Sequence, residues 1–222
     1  MSFNIAIDGP AGAGKSTIAR KLAKDLSYIY VDTGAMYRAM AYYFIQSGIE
    51  AGDEQAVASA CRDVDVTIRY EGGEQQVLLN GENVSAFIRR EEVGRMASET
   101  SVYPVVRTKL VELQRQLAAK ENVIMDGRDI GTVVLPDADV KIYLTASSAV
   151  RAKRRFDELC EKGVECNLEE IEKDIKDRDY RDMHRDVSPL KQADDAVLLD
   201  SSDLDIDGVV SEMKKIIKEA VG

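Results

Sequence analysis

The sequence predicts an α/β fold carried by a mostly parallel sheet, with one small antiparallel insert. Three observations predict it. Short apolar runs of strand length alternate with longer stretches of helical periodicity. A glycine-rich loop joins the first such run to the first helix. One segment alone, Val64 to Val84, breaks the rhythm by alternating apolar and polar residues.

The elements follow in order. Asn4 to Asp8 reads as a buried strand, and Ser16 to Leu26, with Ile18, Ala19, Leu22 and Leu26 on one face, as a helix. Tyr28 to Val31 is a second strand and Ala35 to Gln46 a second helix. The segment VDVTIRYEGGEQQVLLNGENV places Gly72-Gly73 and Asn80-Gly81 where two-residue hairpin turns sit, which predicts a small meander. A helix is expected from Arg89 to roughly Val102, and another opening near Pro104, whose fixed φ suits a first turn. Val123 to Asp126, Val140 to Leu144 and Ala196 to Leu199 are further brief apolar runs, the pattern of βαβ units. Asn167 with Glu170 three positions on resembles a capping box opening a charged helix to about Arg185.

Bulk properties bound the function. A chain of 222 residues, 45% hydrophobic, can bury one sizeable core, so a single globular unit is expected. A formal charge of -10 argues against non-specific nucleic-acid binding, which needs a basic face. A small anionic ligand is still allowed, because clustered arginines can make a local positive field. Cys61, Cys160 and Cys166 form neither a CxxC pair nor an even framework, and read as reduced thiols of a cytoplasmic protein. No leader-like apolar segment and no run of 18 apolar residues is visible, so neither secretion nor membrane spanning is expected. No long apolar stripe is evident, so a monomer is expected.

The strongest chemical signal is GPAGAGKST, Gly9 to Thr17. Its Gly9-x4-Gly14-Lys15-Ser16 spacing fits GxxxxGK[ST] between a strand and a helix, the context in which that pattern cradles a nucleotide triphosphate. The glycines let successive backbone N–H groups turn inward, and the helix start adds its positive end. Lys15 would reach the β and γ phosphates, and Ser16 would hold Mg²⁺. No guanine-reading NKxD occurs. There is instead an arginine set: Arg38 in DTGAMYR, Arg128 in DGRD, and Arg178, Arg181 and Arg185 in the late helix. Helical spacing puts Arg178, Asp182 and Arg185 on one face, which is either a solvated charged face or a site for a second phosphate.

These residues resemble the bacterial CMP (cytidylate) kinases, within the nucleoside monophosphate kinases. The resemblance runs through IDGPAGAGKST, DTGAMYR at 32 to 38, the meander, SETSVYPVVR at 98 to 107, DGRDIGTVVLPDADVKIYL at 126 to 144 and RDYRDMHRDVSPL at 178 to 190. It implies a P-loop NTPase fold with a core (1–34, 104–150, 190–222), a monophosphate-binding region with the β insert (35–103) and a mobile lid (151–189). It implies transfer of the γ-phosphoryl of ATP to CMP, and to dCMP, with Mg²⁺. The ATP loop would be Gly9, Pro10, Ala11, Gly12, Ala13, Gly14, Lys15, Ser16 and Thr17.

Carried over by position, the resemblance assigns the CMP phosphate to Arg38, Arg128 and Arg185, the ribose to Arg178 and Asp182, and the base to Ser98, Arg107 and Asp129. It places Thr33 and Tyr37 beside the monophosphate, and makes Arg151 and Arg155 donor-side arginines, one over adenine and one toward phosphate. Lys15, Arg128, Arg185 and Arg155 would then be catalytic. Ser16 is the one direct metal ligand expected, with Asp126, which ends VIMD, reaching the metal through water. The base trio also has a reason of its own: Asp129 can accept from the cytosine amine, Arg107 can donate to the ring acceptors, and Ser98 can serve either role.

Without the family, plainer readings stand beside these. Asp129 could cap a turn, Ser98 and Arg107 could be helix-surface residues, Thr33 and Tyr37 could be packing, and the RAKRR run holding Arg154 could be a solvated helix end. His184 pairs with no nucleophile and reads as a surface residue. The rival functions are a P-loop kinase for UMP or a nucleoside, and a P-loop ATPase or switch module.

Overall fold

The computed structural model describes residues 2–72 and 74–221; Met1, Gly73 and Gly222 fall outside them, and with Gly73 one half of the first expected turn. The chain divides into two compact units. Tyr30–Glu121 forms one, and Phe3–Ile29 joins the chain from Asn122 onward to form the other.

The second unit is built around β1, Asn4–Asp8. β1 pairs in parallel with β6, Val123–Gly127, on one side and β7, Val140–Thr145, on the other. β8, Val197–Asp200, pairs in parallel with β7, so the order within this unit is β6-β1-β7-β8; β2, Ile29–Asp32, has only its first residue here. The continuous burial of β6 and of Ile5–Asp8 explains why these strands read as apolar runs rather than alternations. β8 differs from expectation. Val197 and Leu198 are 45% and 56% exposed, because the strand lies at the sheet edge with β7 as its neighbour. An apolar run carries no mark of edge position.

α1, Lys15–Leu26, packs on β6 with Ile18, Ala19 and Leu22 buried, and α8, Ile206–Val221, packs on α1 and β7. α6, Ser148–Glu161, is capped by Ser147, and α7, Leu168–His184, by Asn167, whose Oδ1 accepts from the backbone of Glu169 and Glu170. These two helices pack on each other. After β6 comes a π-helical turn, Ile130–Val134, that no periodicity announced. Asp129 O accepts from both Val133 and Val134, which widens the turn, and Asp8 draws the Ile130 and Gly131 N–H groups toward β1, each at 2.7 Å.

In the first unit the meander is β3, Val66–Glu71, β4, Glu74–Leu79, and β5, Glu82–Asn83, antiparallel throughout. Asn80 and Gly81 have φ of 50° and 85°, the left-handed pair a tight hairpin requires. α2, Thr33–Gln46, is the hub: Met36, Ala39, Met40, Ala41 and Phe44 are fully buried, and it meets β4, α4 (Glu91–Thr100) and α5 (Pro104–Ala118). α3, Glu54–Asp63, was not read from the sequence; its N-cap is Asp53 and it packs on α5. α5, expected in the core, contacts α2 and α3, and Lys109 donates to the Cys61 (2.8 Å) and Val64 carbonyls at the end of α3. No helix among the described residues is long and apolar enough to cross a membrane.

Candidate active site

The loop between β1 and α1 is shaped by sterics before chemistry. A Cβ on Gly9 would stand 1.9 Å from the Leu144 carbonyl oxygen, and Gly9 also has φ of +146°. Only glycine lets the chain pass the end of β7 this closely. Gly14, at φ 87°, is the N-cap of α1, and its missing side chain leaves the helix start without a side-chain cap; no acid stands in the first turn. The first turn of α1 thus brings neither a capping side chain nor an acid of its own to its N–H groups, a condition that favours a phosphate.

Lys15 is 5% exposed, and its Nζ donates to the Gly9 and Pro10 carbonyls at 2.7 Å each. Burial, and then the Arg128 guanidinium nearby, push its pKa well below the ordinary lysine value, with Asp126 and Asp8 pulling the other way. Ser16 Oγ donates to Asp126 Oδ2 at 2.9 Å. Asp126 stands opposite Ile7 in the sheet register, so the end of β6 brings a buried carboxylate to the first turn of α1. A hydroxyl bonded to a carboxylate is an oxygen pair that suits Mg²⁺. Among the described residues there is no group of three or more His, Cys, Asp or Glu side chains that could hold a metal ion.

The second unit also holds half of the expected acceptor residues, Arg128, Asp129, Arg178, Asp182 and Arg185. Arg128 Nε donates to Asp182 Oδ2 at 2.9 Å. Arg185 Nε donates to Ser188 O at 2.6 Å, and its Nη atoms lie 3.7 Å from Asp129 Oδ1 and 4.0 Å from Asp182 Oδ1. Burial works to raise the Asp182 pKa, but Arg128, then Arg178 and Arg185, more than offset it and leave it below the usual carboxylate range. Burial likewise opposes the Arg128 charge, and Asp182, with Asp126 and Asp179 behind it, restores it and raises its pKa. The solvated-face reading of α7 is therefore displaced: Asp179 and Asp182 are buried, while Tyr180 and Arg181 face solvent. Asp129 does not cap the turn that follows it. His184 is exposed, as expected, and stacks on Tyr180 at 4.0 Å.

The first unit holds the remaining expected residues. Arg107 is 4% exposed, donates to Ser101 O at 3.4 Å and lies 5.6 Å from the Tyr37 ring centre, so it is no surface residue. Ser98 Oγ is buried with no hydrogen-bond partner among the described residues. Thr33 is buried at the start of α2. Arg38 passes across Gly94 of α4, where an added Cβ would stand 2.7 Å from its Nη1, and donates to Ile88 O at 3.5 Å.

The two arginines expected on the donor side part company. Arg151 is buried, with its guanidinium on the Ala11 carbonyl of the loop, the Ala146 carbonyl and Asp179. Arg155 is half exposed and pairs with Glu158 at 3.0 Å. Arg154 is tied to Ser201 O at 2.6 Å, away from the loop. Sequence reasoning missed Asp8, 5% exposed, which burial pushes up to about 6 against its two backbone hydrogen bonds. It also missed Gly94 and Asp32. Asp32 caps α2 and pairs with Arg89 at 2.8 Å, and its backbone N–H donates to Gln75 Oε1 while its carbonyl accepts from Gln75 Nε2. An acid at a strand end is a common enough sight that only its partners mark it.

The chain matches the family model described as cytidylate kinase over residues 5–219. It is 52% identical to a cytidylate kinase of Lactobacillus johnsonii, covering 98% of this chain and 94% of that one. It is 48% identical to a cytidylate kinase of Caldicellulosiruptor saccharolyticus, covering 99% and 97%. A solved shikimate kinase from Bacteroides thetaiotaomicron superposes with a TM-score of 0.50 at 13% identity over 97% of this chain and 98% of that one, which speaks to the P-loop kinase fold alone. A family model spanning nearly every residue, with relatives near half identity end to end, places this chain in the cytidylate kinase family.

Proposed function

We propose that this chain transfers the γ-phosphoryl group of ATP to CMP, and to dCMP, as a cytoplasmic monomer. The observation that carries the reading is a buried lysine, Lys15, bonded to the Gly9 and Pro10 carbonyls, with the partly exposed Arg128 guanidinium close by. Arg128 is close enough to Lys15 to depress its pKa, although bringing two positive charges together in a buried site is costly. Two polyanions meeting there would turn that repulsion into attraction. An ATPase that only switches on nucleotide would have one polyanion to hold.

In this reading the loop amides and Lys15 hold the donor phosphates. Arg38, Arg128 and Arg185 hold the acceptor phosphate, Arg178 and Asp182 the ribose, and Ser98, Arg107 and Asp129 the base. Thr33 and Tyr37 flank the monophosphate. A phosphate monoester oxygen is anionic near neutral pH, so no general base is required. The protein's task is to align donor and acceptor, supply countercharge as charge spreads over the transferring group, and exclude water. Mg²⁺, held through Ser16 with Asp126 behind it, would neutralise phosphate charge. Residues 151–189 act as the lid, with Arg155 free to leave Glu158 for phosphate. A cytosine amine donates to the Asp129 carboxylate, whereas the uracil carbonyl would face it with two acceptors unpaired.

The test is coupled ADP release with CMP, dCMP, UMP, AMP or no acceptor. Release that depends on acceptor and ranks CMP first is expected. Acceptor-independent release, or preference for UMP, overturns the proposal.

A further inference from the structure

α7 carries more than acceptor contacts. Its inward face presents Asp179 and Asp182, one helical turn apart, and each holds a different arginine. Asp182 accepts from Arg128 on the acceptor side. Asp179 Oδ2 accepts from Arg151 Nη2 at 2.6 Å, and the two side chains are 13% and 6% exposed. The Arg151 guanidinium is fully engaged: Nε donates to Ala146 O at 2.9 Å and Nη1 to Ala11 O at 2.8 Å. Ala11 belongs to the phosphate loop, and its neighbour Gly12 lies so near that an added Cβ would be 3.5 Å from Arg151 Cβ. Arg151 therefore fixes one wall of the loop, and Asp179 fixes Arg151.

We propose that Asp179 is a positioning residue for phosphoryl transfer, holding the phosphate loop in place through Arg151 from the same helix turn that orients Arg128. A planar guanidinium with three separate acceptors has one orientation that satisfies all of them. Without the Asp179 carboxylate, Arg151 keeps its charge, loses its buried counter-ion, and is drawn toward other anions, which leaves the Ala11 carbonyl unanchored. Because Asp179 and Asp182 share a turn, a displacement of α7 moves the donor loop and an acceptor arginine together. Losing Asp179 alone leaves Asp182 on Arg128 and disturbs the donor loop only, whereas a plain structural ion pair would favour neither substrate.

The inference rests on the donor-side reading of Arg151, and the experiment separates the two. Steady-state kinetics are measured for Asp179→Asn, Arg151→Met and the double variant, with nucleotide-free thermal unfolding alongside. Asp179→Asn is expected to raise the KM for ATP by about tenfold, leave the KM for CMP at saturating ATP near that of the wild type, and add nothing further in the Arg151→Met background. Asp179→Glu, which restores the charge, is expected to recover part of the loss. Arg151→Lys approaches the same contact from the other side, should Asp179→Asn fail to fold, and is expected to raise the KM for ATP alone. A wild-type KM for ATP in Asp179→Asn or Arg151→Lys, equal rises for both substrates, or full additivity overturns the inference. An unchanged KM for ATP in Arg151→Met overturns the donor-side reading as well; an impaired Arg151→Met beside an unaffected Asp179→Asn overturns this inference only.

Discussion

Replacing Asp8 by asparagine is expected to change how stability responds to pH, and the size of the change follows from its surroundings. Burial is the largest influence on Asp8; hydrogen bonds from Gly131 and Ile130 oppose it, Asp129 adds to it, and Lys15 opposes it more weakly. The outcome is a pKa of about 6 against an ordinary 3.8. At about 1.4 kcal/mol per pH unit, that displacement is worth about 3 kcal/mol. A carboxyl raised on folding is more protonated in the folded state than in the unfolded chain. Its contribution is thus fully present below 3.8 and lost as pH rises through about 6. Between about pH 5 and about pH 7.5 the wild type should lose about 1.4 kcal/mol relative to Asp8→Asn. The amide can accept only one of the two N–H groups, which offsets the variant by about 1–3 kcal/mol at every pH and leaves the slope untouched. Urea unfolding of both proteins without nucleotide, at the two pH values, reads the difference. A stability gap that stays constant, or that moves in favour of the wild type at higher pH, would refute the reasoning.

Gly9→Ala is expected to abolish ATP-dependent activity and lower the unfolding temperature, since its new carbon would stand 1.9 Å from Leu144 O; a wild-type KM for ATP would show that the loop can yield. Asp129→Ala is expected to lower the ratio of CMP to UMP efficiency by about tenfold, within the 1–3 kcal/mol that an unpaired buried acceptor costs. The same ADP-release assay with both acceptors measures it, and an unchanged ratio removes Asp129 from base recognition.

The loop GPAGAGKST, the parallel strands and the meander were legible because each is a local pattern. Glycine at a fixed spacing, an unbroken apolar run and an Asn-Gly pair each constrain the backbone within a few residues. The exposure of β8 was not legible, since Val197 and Leu198 have the same composition whether or not a second strand lies beyond them. Neither was the π-helical turn at Ile130–Val134, which exists because Asp8, more than a hundred residues earlier in the chain, claims the N–H groups of Ile130 and Gly131.

The candidate site divides along the same line. By itself the sequence determined which chemistry was on offer: a glycine-rich loop with Lys15 suited to a polyphosphate, an arginine set that could meet a second anion, and, through the family resemblance, Asp129, Arg107 and Ser98 as candidates for a base edge. Only the tertiary structure decided which charges meet. It set Arg128 on Asp182 rather than in solvent, sent Arg151 to the loop and Asp179 while leaving Arg155 with Glu158, and held Lys15 within the field of Arg128. The reason is physical: residue type and spacing fix what a side chain can bond to, but a buried charge takes whichever partner the fold brings within reach, and strands paired side by side bring together residues that lie far apart in the chain.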